Sequence, residues 1–153
     1  MGAWIRMLDM WDRDWHGRSF NGRCLFEELA AHTAFDAVLD RNFEEYTVWG
    51  VALHVHKYKE MMLANLEGRE PALPEGEDEF PPVPNGGITE ERWIGLLHAM
   101  DATHNALVTR ARSLDEAFLD TSFAPWEITW GETFAWAAGH DGYHTAQIRN
   151  MKR

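Results

Sequence analysis

The sequence predicts an all-α fold, a four-helix bundle formed by a single domain over residues 1–153. Apolar side chains recur every three or four residues along four long segments, which is the period of an amphipathic helix. No segment shows the strict alternation of a half-buried strand. A stretch of about twenty residues, rich in proline and glycine, separates the second long segment from the third. Together these observations favour helices packed on helices.

The first third of the chain predicts one long helix and two shorter ones. Residues 3–14 form the long helix, with one face made by Trp4, Met7, Leu8 and Trp11. A turn at residues 15–19 precedes a second helical segment over residues 20–31. Thr33 is placed to cap a further short helix that ends near Leu39.

The second long helix and the irregular stretch come next. Thr47 begins a helix that runs to about Leu66, and Gly68 stands just past its end, where glycine commonly stops a helix. Residues 68–87 hold five of the six prolines and an acidic run at residues 75–79. Proline and glycine at this density interrupt both helices and strands, so we expect a loop here.

Two more long helices complete the bundle. Thr89 caps a helix over about residues 90–112, whose inner face carries Trp93, Leu97, Met100, His104, Leu107 and Ala111. Residues 113–116 predict a capping box for a short helix, and residues 129–132 predict another for the last helix. That helix shows the same spacing through Thr133, Ala137, His140, His144, Gln147 and Met151.

The long connection predicts the relative direction of the second and third long helices. A tight antiparallel turn needs few residues, whereas a connection that runs along a helix of about 30 Å needs many. We therefore expect these two helices to be parallel and joined by a crossover. Independently, His54 lies near the start of its helix and His144 near the end of its own. These two side chains reach the same level only if their helices are antiparallel, as the crossover permits.

Composition narrows the classes of function. The net charge of −11, with 14 scattered Lys and Arg, disfavours a nucleic acid partner because a phosphate backbone needs a basic face. The single cysteine excludes an internal disulfide framework and a thiolate-rich metal site. No apolar run approaches the length of a membrane span, and the first residues lack the apolar core of a signal peptide. We expect a cytoplasmic protein with neither nucleic acid nor membrane as its partner.

Three histidines predict a divalent metal site. His140 and His144 are four residues apart on the last helix, about 40° apart around its axis, so their imidazoles lie one above the other. His54 lies on the apolar face of the second long helix. Three neutral imidazoles suit Zn²⁺ or Ni²⁺, and Fe²⁺ or Mn²⁺ also accept nitrogen ligands. Such a site leaves one coordination position open for water or substrate.

In the alternative interpretation, each of these three histidines lies in the core and forms a hydrogen bond with the backbone. Their position at a common level of the bundle favours the metal site over that interpretation.

Other residues are candidates for supporting roles at the site. His104 is a candidate for orienting a ligand or adding one, although a neutral packing role is commoner for such a histidine. Tyr58 and Gln147, about one turn after His54 and His144, are candidate hydrogen-bond donors to a substrate. The remaining histidines are interpreted as surface or packing residues, namely His16, His32, His56 and His98.

Two other metal motifs fit less well. Residues 140–144 are similar to the zinc-protease pattern His-Glu-x-x-His, but Asp141 stands where that pattern has its glutamate base. A ferritin-like di-iron site needs Glu-x-x-His pairs on two helices. Three positions before the candidate histidines this chain instead carries Val51, Asp101, Ala137 and Asp141.

Two segments resemble a known family. The sequences TVWGVALHV at residues 47–55 and HDGYHTAQI at residues 140–148 resemble the DinB/YfiT-like metalloprotein superfamily, and the order of parts is similar over nearly the whole chain. The resemblance implies an up-down-down-up four-helix bundle, often a homodimer. It also implies a nickel or zinc ion on three histidines, which by the match are His54, His140 and His144.

The resemblance also suggests what the site does. Some relatives are thiol-dependent enzymes, namely mycothiol-dependent maleylpyruvate isomerase and bacillithiol S-transferases, and many others are described as metal-dependent hydrolases. This implies an enzyme in which metal-activated water or a low-molecular-weight thiol attacks a small substrate. The alternative is a non-catalytic metal-binding or dimerisation module in which the ion staples the bundle. The third interpretation is a bundle without metal.

Overall fold

The computed structural model describes residues 2–17, 19–20, 22–70, 76 and 79–151. Within these residues the chain is mostly helical, as predicted, with six α-helices, a 3₁₀-helix and a two-stranded sheet. The elements are α1 (Ala3–His16), α2 (Leu25–Ala30), α3 (Ala34–Leu39), α4 (Val48–Leu66), α5 (Glu90–Arg112), the 3₁₀-helix (Glu116–Asp120), β1 (Ser122–Phe123), β2 (Ile128–Thr129) and α6 (Trp130–Arg149). Most of the predicted acidic run, residues 75, 77 and 78, lies outside the described residues.

Threonine caps set the starts of the three helices that the sequence defined best. The Thr47 hydroxyl accepts the amide of Gly50 at 3.1 Å, and Thr89 caps α5 in the same way. Thr129 and Glu132 form the predicted reciprocal capping box at the start of α6. The predicted bounds of α4 and α5 are confirmed. Within the described part of the chain, no helix combines the length and apolar character needed to cross a membrane.

The predictions for residues 15–31 were partly wrong. α1 extends two residues into the predicted turn, to His16. The helix predicted over residues 20–31 is reduced to α2, because Gly22 has a φ of 106° and helical backbone cannot run through it. Phe20, which the prediction placed in a helix, is 81% exposed.

The segment between α5 and α6 also differs from its prediction. The capping residue is Asp115, whose carboxylate accepts the amide of Phe118 at 2.9 Å, so a 3₁₀-helix follows in place of the helix predicted to start at Ser113. Ser113 instead ends α5, with its hydroxyl donating to the Arg110 carbonyl. β1 and β2 pair antiparallel, and two residues per strand are too few for alternation to reveal them in the sequence.

Side-chain contacts fix how α4 lies against α5. The rings of Trp49 and Trp93 lie 6.4 Å apart near the starts of the two helices. Further along, Lys59 Nζ lies 2.8 Å from His104 Nδ1. The contacting residues therefore advance together along α4 and α5.

α1 contacts α5 and α6. Trp4 Nε1 donates to the Ala111 carbonyl at 3.3 Å, while Trp15 Nε1 donates to Asp101 Oδ1 at 3.0 Å. The contacting residues of α5 therefore descend as those of α1 ascend. Trp4 also packs its ring 4.9 Å from that of Phe134 near the start of α6.

Two apolar clusters fill the interior, with buried polar side chains between them. One cluster contains Val55, Met100 and Ile148, and the other contains Met61, Leu107 and Ala137. Between these levels each of the three helices carries buried polar residues, namely Lys59, His104, Asp141 and His144. The polar layer therefore crosses the helices near the middle of their length.

We expect Thr129→Ala to lower the free energy of unfolding by about 1 kcal/mol, because it removes the hydroxyl that caps α6. Thermal or urea denaturation measures the change. Thr109→Ala, an identical substitution at an exposed position inside α5, should stay within about 0.5 kcal/mol of the parent. An equal loss in both variants would contradict the capping role.

Candidate metal centre

The structure brings His54 of α4 together with His140 and His144 of α6. His140 Nε2 lies 2.8 Å from His54 Nε2 and 3.0 Å from His144 Nε2. One ring nitrogen from each of the three histidines falls within 4.8 Å of the other two, and no other such group of His, Cys, Asp or Glu occurs among the described residues. The three residues that the sequence predicted as ligands thus converge on one point.

Burial keeps these imidazoles neutral. His54 and His144 are 4% and 2% exposed, and His140 is half-buried. Desolvation lowers the pKa of His54 to about 4 and that of His140 to about 2, each with a smaller contribution from the His144 ring. Burial also lowers the pKa of His144. A neutral imidazole is the form that binds a metal ion.

Hydrogen bonds at the far side of two rings decide which nitrogen is bare. The Nδ1–H of His54 donates to the Glu79 carbonyl at 2.9 Å. The Nδ1–H of His144 donates to the side-chain oxygen of Gln147 at 2.8 Å. A neutral ring carries one N–H, so both Nε2 atoms present a lone pair to the shared point.

This donor set fits a divalent cation. Three Nε2 atoms meet, yet only His140 has a ring proton to place there, and one proton serves one of its two neighbours. At least one close nitrogen pair therefore faces lone pair to lone pair. A cation at that point turns the repulsion into coordination, and three nitrogens are the protein ligand set of a zinc site with an open position.

The end of the irregular stretch is held against α4 by a glycine. A Cβ on Gly50 would lie 3.1 Å from the Pro81 carbonyl oxygen, so a larger residue would push this segment outward. Gly50 precedes His54 by one helical turn on the same face. The close approach lets the Glu79 carbonyl reach His54 and lets Phe80 stack on its ring, with centroids 4.1 Å apart.

Aromatic side chains surround the centre. Trp136 stacks on His140 with ring centroids 4.3 Å apart, and Tyr58 lies 4.8 Å from the His54 ring. Burial, together with the Glu79 carboxylate that its hydroxyl meets, raises the pKa of Tyr58. The predicted helper Tyr58 therefore lies beside the centre as a protonated phenol.

The structure does not bring His104 into the three-histidine group. His104 is fully buried on α5, where its Nδ1 meets Lys59 Nζ at 2.8 Å and its ring stacks on Trp15 at 4.6 Å. Burial and the charge of Lys59 lower its pKa. The predicted helper Gln147 does not face the shared point directly but holds His144 from behind.

The other histidines lie elsewhere. His56 is buried against α5, with Nε2 at 3.1 Å from the Thr103 hydroxyl, and His32 bonds the Glu28 carbonyl. His16 and His98 are exposed. These positions agree with the surface and packing roles inferred from the sequence.

Sequence reasoning missed the buried ion pair between Lys59 and Asp141, next to the three histidines. Lys59 Nζ lies 2.6 Å from Asp141 Oδ2, and both side chains are almost fully buried. The signal was present, because Lys59 occupies the apolar face of α4 between Val55 and Met62, where a lone charge needs a partner. The role of Glu79 was also missed. Its backbone carbonyl accepts the hydrogen bond from His54, and every residue type has a backbone carbonyl, so the sequence does not mark this position.

The comparisons with known proteins give one match. The sequence profile of the DinB superfamily matches residues 25–148, a span that includes all three histidines and Gln147. Neither the curated proteins nor the solved structures contain a match to the chain. Since the profile covers most of the sequence, this protein belongs to the DinB superfamily.

Proposed function

We propose that this protein is a metal-dependent enzyme whose ion, zinc or nickel, is held by His54, His140 and His144. The reaction is the attack of water or a low-molecular-weight thiol on a small electrophilic substrate, as in a hydrolase or a thiol S-transferase. The observation that carries the proposal is the convergence of three Nε2 atoms of which two have no proton. A divalent ion on three imidazoles supplies a Lewis acid that lowers the pKa of a water or thiol in the open position.

The chain's own residues would prepare the site. The Glu79 carbonyl and Gln147 fix the ring orientation and tautomer of two ligands, so little rearrangement accompanies binding. Phe80 and Trp136 cover ring faces of His54 and His140 and exclude water from them. The Tyr58 hydroxyl, which meets the Glu79 carboxylate, would donate a hydrogen bond to a bound substrate by exchanging that partner.

The helix contacts support the predicted bundle order. Contacting residues advance together along α4 and α5 but run in opposite directions between α1 and α5 and between α4 and α6. We infer an up-down-down-up bundle with a crossover between α4 and α5. Both apolar clusters draw on α4, α5 and α6, which supports a single domain over residues 1–153.

The proposal also includes a homodimer and a cytoplasmic location. The homodimer is what the family resemblance implies. The net charge of −11 and the single cysteine support a cytoplasmic location. Light scattering after size-exclusion chromatography measures the assembly directly.

A non-catalytic role is the second candidate. An ion on these histidines would tie α4 to α6 in the buried middle of the fold, which is what a structural staple does. In that case the ion would contribute to folding and no substrate would be turned over.

We expect His140→Ala to lose stoichiometric Zn²⁺ or Ni²⁺ while keeping the helical circular-dichroism spectrum, because it removes the nitrogen that both other ligands face. Elemental analysis of the purified, metal-loaded variant measures the loss. His98→Ala, which changes an exposed histidine of α5, should keep the parent metal content. A full metal equivalent in His140→Ala would refute the ligand assignment.

We expect Gln147→Leu to bind Zn²⁺ about 10- to 100-fold more weakly, because His144 loses the acceptor that fixes its tautomer. Competition with a chromophoric chelator measures the affinity. Gln147→Glu keeps an oxygen acceptor and should bind at least as tightly as the parent. Equal weakening in both variants would mean that the hydrogen bond to His144 is not the cause.

Chelation separates the two candidate functions. We expect EDTA-treated protein to lose turnover of thiol-acceptor and ester substrates, and to regain it when Zn²⁺ or Ni²⁺ is added. A large fall in melting temperature without metal-dependent turnover of any substrate would favour the staple instead.

A further inference from the structure

Four helices meet at one buried ammonium group. Lys59 of α4 is 3% exposed, and its Nζ lies 2.6 Å from Asp141 Oδ2 of α6 and 2.8 Å from His104 Nδ1 of α5. The same Nζ lies 3.7 Å from the ring centre of Trp15 on α1, within cation–π distance. Each of the other three long helices therefore contributes a partner to this one charge.

Asp141 is held from two sides. Besides the contact with Lys59, its Oδ2 accepts the Nε1–H of Trp11 on α1 at 2.6 Å. The Asp141 side chain is 1% exposed, so water cannot replace Lys59 and Trp11 as its hydrogen-bond donors. Charge-assisted hydrogen bonds of this length are strongly directional, and they fix the rotation of α6 about its axis as well as its height.

The position of Asp141 makes this rotation matter. It lies directly after His140 and three residues before His144, within about 100° of both around the axis. A small rotation or slide of α6 would carry both imidazoles away from His54. The observed Nε2 separations of 2.8 and 3.0 Å tolerate little of either.

Stability alone does not account for the pair. Two charges removed from water regain in attraction roughly what they lose in hydration, and well-packed apolar residues often stabilise such a place better. Apolar contacts above and below this level are non-directional and would allow several registers of α6 against α4. The Lys59–Asp141 pair adds directional contacts that the apolar clusters lack.

We propose that the Lys59–Asp141 pair is a positioning device that sets the register of α6 against α4 and thereby brings His140 and His144 onto the ion shared with His54. The inference rests on the proposed function, since it takes these histidines to be metal ligands. Lys59 and Asp141 are positioning residues that touch neither substrate nor ion.

The test replaces both charges at once and uses Co²⁺ as the probe. Lys59→Met keeps an unbranched side chain over Trp15, and Asp141→Asn keeps an oxygen that accepts from Trp11. In the double variant we expect a parent-like helical spectrum, at least tenfold weaker Co²⁺ binding and an altered visible absorption of the bound Co²⁺. The absorption reports the arrangement of ligands around the ion, which a purely structural pair would not change once the protein is folded.

A matched control separates register from general loss of stability. Val108→Ala removes buried apolar volume from α5 without changing a charged or hydrogen-bonding partner of Lys59 or Asp141, and it should lower the melting temperature. Its Co²⁺ affinity and spectrum should equal those of the parent. If the double variant does not fold, Asp141→Asn alone carries the same comparison with this control.

The outcomes are distinct. A folded double variant with the affinity and Co²⁺ spectrum of the parent would overturn the positioning role and leave the proposed function intact. A parent protein that binds no Co²⁺ or Zn²⁺ would overturn both. Weaker binding with an altered spectrum, absent from Val108→Ala, supports the positioning role.

Discussion

The buried polar layer between the two apolar clusters is the constraint on which the rest of the structure depends. This layer consists of the Lys59–Asp141 contact and the neighbouring group of three imidazoles. A buried charge is costly without a partner, so arrangements of the helices that separate Lys59 from Asp141 are disfavoured. Apolar clusters supply most of the driving force for folding, whereas this layer selects which packing is adopted. Membership of the DinB superfamily follows from the sequence, but the geometry of the site follows from this layer.

The segment that precedes α5 completes the site from outside the bundle. Gly50 leaves room for the Pro81 carbonyl, and this close approach places the Glu79 carbonyl on His54 and Phe80 against its ring. A long connection between α4 and α5 is thus more than a spacer. It supplies the hydrogen bond that leaves His54 Nε2 bare, which is the protonation state that coordination requires.

Much of this could be predicted from the sequence, for physical reasons that differ from element to element. The starts of α4, α5 and α6 were predictable because threonine caps are local signals, and the three histidines because i,i+4 spacing and the helical period are geometric. The helix expected over residues 20–31 is reduced to α2 because one glycine with positive φ overrides propensity. The Lys59–Asp141 contact escaped since its partners are 82 residues apart and pair only in three dimensions. The hydrogen bond from His54 to the Glu79 carbonyl could not be predicted, because every residue type has a backbone carbonyl.

The central claim is that His54, His140 and His144 hold one divalent ion through their Nε2 atoms. X-ray absorption spectroscopy of the zinc-loaded protein measures the ligand types and distances directly. The account predicts three imidazole nitrogens at about 2.0–2.1 Å with one further light ligand. A zinc environment of oxygen ligands without imidazole scattering, or a protein that takes up no zinc, would contradict it.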